Sequence, residues 1–197
     1  MTSGIHLGTR TGSGRTAVAL PIWAPRAIRI GVLGESLFGR LLACRLVAAG
    51  AEVTAVTRGP SLWAPLASAC GPRLTVTDST VPWPGNQVTA PGSGPGPRAL
   101  VTDLPRAPSR PTADGAWTTL VHITRRPPAR STHWSEADAV IVLGAAHAEG
   151  VAPVLGAEAR ELAASLAPGE IALFRHGAAV VLRPDIAPAE TALLRPD

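Results

Sequence analysis

Gly34 to Leu41 is the stretch of this sequence whose residue types and spacing could do chemistry, and three templates can be laid on it. Gly34-Glu35-Ser36-Leu37-Phe38-Gly39-Arg40-Leu41 has the glycine spacing of a phosphate-binding P-loop, with Arg40 and Leu41 in place of the Lys and the Ser or Thr. The lysine of that motif reaches the β- and γ-phosphates, and its hydroxyl holds magnesium. This chain has no lysine: its 18 basic residues are all arginine. Leucine cannot ligate a metal, so P-loop ATPase activity is not expected.

The dinucleotide fingerprint fits better. Gly34-Glu35-Ser36-Leu37-Phe38-Gly39 is G-x-G-x-x-G with Ser36 in the middle position, where a Cβ restricts the approach of a pyrophosphate. The acid that would hold a ribose 2′-hydroxyl is replaced by Thr57-Arg58. An arginine there can hold a 2′-phosphate, so Gly34, Ser36, Gly39 and Arg58 form a candidate NADP site. Against it stands the plainer reading, in which Gly34 and Gly39 only permit a tight turn and close helix–strand packing. The third template, the nucleophile elbow G-x-S-x-G, fails at Phe38. Only a hairpin precedes it, which leaves no earlier strand to supply an oxyanion loop.

The elements around the turn follow from pattern. Ile28 to Leu33 is a β-branched run, Leu37 to Ala49 carries apolar residues at helical spacing, and Gly50 ends that helix. Glu52 to Thr57 is a second strand. A strand, helix and strand of about 30 residues is a parallel βαβ unit. Ahead of it Ile5-His6-Leu7 and Thr16 to Leu20 read as a hairpin turning at Thr11 to Gly14. Behind it come a short helix over Ser61 to Ala69 and strands at Leu74 to Thr77, Thr118 to Thr124 and Ala139 to Gly144. The last of these is apolar enough to be buried on both faces. Ala99 to Thr102 reads as a short edge strand. A helix over Glu158 to Leu166, a hairpin of Glu170 to Phe174 and Ala178 to Leu182, and a helix around Ala187 to Leu194 complete the chain.

The alternation predicts an α/β fold, a Rossmann-like and mainly parallel sheet with β-hairpins at both ends. Residues 1–25 form the hairpin lead-in and 26–197 one α/β domain. Two Pro/Gly-rich loops interrupt it at 81–98 and 105–115.

At 197 residues the chain can bury a substantial core. Its apolar 46% is mostly Ala, Val and Leu; there is no Tyr and only two Phe, so five Trp must supply bulk. The net charge of +4 is modest. Arg125, Arg126 and Arg130, near His133 and Trp134, are the nearest approach to a nucleic-acid patch and read as a solvated loop. Cys44 and Cys70 form no C-x-x-C pair, and the five histidines show no metal-ligand spacing. Asp78 and Asp103 follow strands at their carboxyl ends, yet spacing brings neither to a partner. No catalytic residue and no metal ligand is assigned. No run approaches the ~20 apolar residues of a membrane span, which places the chain in the cytoplasm.

The stretch from Gly34 to Trp63 also carries a resemblance. Leu37-Phe38, Arg45, Ala48-Ala49-Gly50-Ala51-Glu52-Val53 and Thr57-Arg58-Gly59-Pro60-Ser61-Leu62-Trp63 resemble the soluble region of EccE, a core component of the actinobacterial type VII (ESX) secretion machinery. The resemblance implies a non-enzymatic scaffold subunit without a cofactor, held at the inner membrane through its protein partners, with a vestigial nucleotide turn. EccE proteins carry transmembrane helices ahead of this region, and this sequence has none. Trp83, within Val81-Pro82-Trp83-Pro84, and Trp134 lie outside periodic core segments and are the candidate docking anchors. The alternative is an NADP-binding, oxidoreductase-like domain.

Overall fold

The computed structural model describes residues 4–12, 14–78, 97–108, 115–126 and 130–194. The β-branched and apolar runs form ten strands of one sheet: β1 (Gly4–Arg10), β2 (Ala17–Pro21), β3 (Ile28–Leu33), β4 (Glu52–Thr57), β5 (Leu74–Thr77), β6 (Arg98–Asp103), β7 (Thr118–Thr124), β8 (Ala139–Val142), β9 (Ile171–Arg175) and β10 (Ala178–Pro184). The helices are α1 (Ser36–Ala48), α2 (Ala64–Cys70), α3 (Thr132–Ser135), α4 (Ala152–Leu155), α5 (Ala157–Ala164) and α6 (Pro188–Leu194). The strand order is β2-β1-β10-β9-β8-β3-β7-β6-β4-β5. From β8 to β5 every pairing is parallel, and from β8 to β2 every pairing is antiparallel.

Side-chain alternation explains how the two faces are covered. Ala139 and Ile141 of β8 join Ile171 and Leu173 of β9 in a core with Leu42 and Leu46 of α1, Leu66 of α2 and Leu194 of α6. Their neighbours Val140, Val142, Ala172 and Phe174 face the other way, onto Trp134 of α3, Val151 and Ala163. Helix α1 ends as its sequence predicts. Gly50 takes φ +97, and the amides of Gly50 and Ala51 donate to Val47 O and Leu46 O, the Schellman arrangement. His176 and Gly177 both take positive φ between β9 and β10, which suits the tight hairpin turn.

Two expectations change. Ala99 to Thr102 is no edge strand: β6 lies between β7 and β4, and its apolar run is buried. The βαβ unit of β3, α1 and β4 is parallel, but β7 and β6 stand between its strands.

Trp134 is a core residue. It is 3% exposed, and its ring covers Gly31 of β3 so closely that a Cβ there would overlap it. Its indole Nε1–H donates to His122 Nδ1 at 2.8 Å. His122 must therefore carry its proton on Nε2, which lies 2.9 Å from Leu104 O. His133 Nε2 meets Ile30 O at 3.1 Å. A ring this buried has no face to offer a partner. Trp83 lies outside the described residues.

Trp134→Ala should lower stability by roughly 3–5 kcal/mol, read from denaturant unfolding; a loss below about 1 kcal/mol would count against the packing described. Burial lowers the pKa of His122, and that of His133 to about 4. The unfolded chain protonates near pH 6.5 while the native rings stay neutral. Stability is therefore full above that pH and should fall as pH drops toward 4, by up to about 1.4 kcal/mol per unit for each ring. His133→Asn should flatten that slope.

Candidate functional site

Helix α1 starts two residues after β3 ends. The Gly34 amide donates to Thr124 O at 3.0 Å and Glu35 is the N-cap, so Ser36 is already helical. Gly39, Arg40 and Leu41 thus lie in the second turn of α1, not in a loop. Gly39 serves packing: a Cβ on it would stand 2.5 Å from Ile123 Cδ1 of β7. Gly34 is covered by Leu143, into which any Cβ would run.

Ser36 is where the chemistry concentrates. Its hydroxyl donates to Asp103 Oδ2 at 2.5 Å, across 67 residues of sequence. Asp103 ends β6, and Thr57 Oγ1 at the end of β4 reaches the same oxygen at 3.5 Å. The Gly59 amide in turn donates to Thr57 Oγ1 at 3.1 Å. Asp103, read from sequence as a loop residue without a partner, belongs to a hydroxyl–carboxylate cluster.

Arg40 stands behind this cluster on α1, 6% exposed. Its Nη1 donates to Leu62 O at 2.6 Å and Leu194 O at 3.2 Å, while its Nε–H is buried without an acceptor. Burial lowers its pKa, against the pull of the Asp103 carboxylate. One turn on, Arg45 binds Glu190 of α6 through Nε and Nη2, at 2.7 and 2.9 Å, and also reaches the carbonyls of His6 and Asp185.

Ser36 and Arg40 border a crevice of about 1100 Å³ beyond the carboxyl ends of β3 and β8. Phe38, Leu41, Leu143, Ile171 and Leu194 make it mainly apolar; Glu35, Ser36, Arg40, Arg125 and Glu170 supply charge and polarity. The N-terminus of α1 borders it with no side-chain cap and no acid in its first turn. The connections leaving β3 and β8 lead to opposite sides here, the usual place for a ligand in a parallel sheet. Among the described residues no three His, Cys, Asp or Glu side chains gather to hold a metal, and no helix is long and apolar enough to cross a membrane.

No family model matches the sequence, and no curated protein does. Among solved structures the fold is similar to that of viral genome-packaging NTPases. The genome-packaging NTPase B204 of Sulfolobus turreted icosahedral virus 2, in complex with AMPPCP, gives a TM-score of 0.57 at 11% identity over 82% of this chain and 100% of that one. Its complex with ATP-γ-S gives 0.55 at 13% identity, over 80% and 97%. The DNA-packaging ATPase B204 of Sulfolobus turreted icosahedral virus gives 0.53 at 11% identity, over 79% and 97%. At these identities the likeness is one of fold.

The likeness overturns the secretion-scaffold assignment: these neighbours are packaging NTPases, and the EccE resemblance rested on residues without a catalytic motif. The cofactor-free expectation falls with it, because the neighbours were solved with ATP analogues and AMP. The NADP alternative fails on geometry as well. In a dinucleotide sheet the second strand adjoins the first. Here β4 is three strand spacings from β3, which sets Arg58 about 14 Å away along the sheet, and Leu143 closes the approach at Gly34.

A P-loop runs strand, GxxxxGK[ST], helix, so its last three residues stand where the helix starts. By that landmark Gly34-Glu35-Ser36 takes the Gly-Lys-Ser place, with Glu35 for the lysine. A P-loop carries its magnesium-binding hydroxyl at that last place; here the Ser36 hydroxyl is given to Asp103. The residues present keep that hydroxyl. They do not fit a triphosphate cradle, since two residues cannot wrap a phosphate and a carboxylate replaces the lysine. The signal was in the sequence: the motif has to be anchored on the strand–helix junction, not on the spacing of two glycines.

A double-mutant cycle of Ser36→Ala and Asp103→Asn should show a coupling of about 1 kcal/mol or more in unfolding free energy; additive losses would mean the pair contributes nothing.

Proposed function

We propose that this protein binds a nucleotide in the crevice at the start of α1 and does not hydrolyse it. The observation that carries the reading is the Ser36–Asp103 pair, set at the first residue of the helix after β3 in a sheet similar to that of the packaging NTPases. The amides at the N-terminus of α1 take no side-chain cap bond and suit an anion, with the Glu35 carboxylate at the N-cap limiting its charge, and the apolar walls of the crevice suit a base and sugar. Hydrolysis needs more. It requires charge on the β- and γ-phosphates to be neutralised as the bond breaks, and the groups that do this are missing or reversed at Glu35.

Titration calorimetry with adenine and guanine nucleotides should give saturable binding with Kd on the order of 0.1–1 mM. Phosphate release from ATP or GTP with magnesium should stay at background. Glu35→Lys should tighten ATP binding tenfold or more, because it exchanges a repelling charge for an attracting one. The absence of binding by any nucleotide at millimolar concentration would overturn the proposal.

A further inference from the structure

We infer that the crevice selects a nucleotide carrying one phosphate over its triphosphate, with Arg40 as the group that meets that phosphate; the inference rests on the nucleotide reading above. Arg40 is a guanidinium more than nine-tenths buried at the crevice wall, and the pull of the Asp103 carboxylate offsets only part of the cost of that burial. Two carbonyls occupy its Nη1, and its Nε–H has no acceptor. A buried cation in that state is costly unless an anion compensates it. Apolar side chains surround it, so the fitting ligand has an apolar body and a small anionic group.

The remaining charges limit how many phosphates can follow the first. Arg125, at the end of β7, is the second cation on the crevice, and Glu35 and Glu170 are its two carboxylates. The four charges cancel, so the two arginines can face one phosphate group, about −1.5 to −2 near neutral pH, and no net positive charge is left for a second. Each further phosphate adds negative charge and meets no further cation. It also meets Glu35, which is exposed where a P-loop has its lysine. With Leu143 over Gly34 and only two residues between β3 and α1, no backbone loop encloses the extra groups.

The test is calorimetry at fixed salt with adenosine, AMP, ADP and ATP as probes, with and without magnesium. AMP should bind at least tenfold more tightly than either adenosine or ATP. In Arg40→Gln the advantage of AMP over adenosine should vanish, and Arg40→Lys should keep part of it. A thermal melt checks that each variant folds. Should Arg40→Gln fail to fold, Glu35→Gln on the exposed face serves instead and should narrow the gap between AMP and ATP. If adenosine binds but ATP binds as tightly as AMP, the selection is wrong and the nucleotide reading survives. If none of the four binds, the nucleotide reading itself fails.

Discussion

The close seat of α1 against the sheet is the constraint from which the rest of this structure follows. Gly39 lets the helix lie on Ile123 of β7, and the two-residue connection at Gly34-Glu35 starts it directly above the end of β3. Only from that position can Ser36 reach Asp103 on β6 and Arg40 reach the carbonyls of Leu62 and Leu194. A longer loop before the helix would leave room for phosphates and would take Ser36 out of contact. The site is thus defined by the same close packing that leaves no room for a loop around a phosphate.

That trade separates what the fold supplies from what the chemistry needs. A parallel sheet with a crevice beyond its strand ends is a general place for ligands, and many functions occupy it. Both partners of the hydroxyl–carboxylate pair also serve local structure: Ser36 opens a helix, and Asp103 ties the ends of β6 and β4 through Thr57. Glu35, between Ser36 and β3, has no such duty and stands exposed.

Much of the architecture was legible in the sequence because local pattern dictated it. The runs at Ile28 to Leu33, Glu52 to Thr57, Leu74 to Thr77 and Thr118 to Thr124 are strands with those bounds. Order within the sheet was not legible, since nothing in the run at Ala99 to Thr102 says which strands will flank it; that depends on contacts made across the whole chain. The site failed to read for the same reason. Ser36 and Asp103 are 67 residues apart, and only the sheet order brings them together. Trp134 misled in another way. It belongs to a helix of four residues, too short to show a period, and its burial comes from the bare surface that Gly31 leaves on β3. The rings of His122 and His133 meet it edge-on in that pocket.

Arg45 gives the lysine-free composition a meaning beyond codon usage. Its guanidinium holds both oxygens of Glu190 while it donates to carbonyls on β1 and at Asp185. That is a planar, branched demand which a single ammonium point cannot meet. On exposed loops an exchange of arginine for lysine preserves charge and costs little. At Arg45 the same exchange would unfasten α6 from α1 and β1 and displace the wall that Leu194 contributes to the crevice. Positions that look alike in a composition table therefore differ in how freely they can drift.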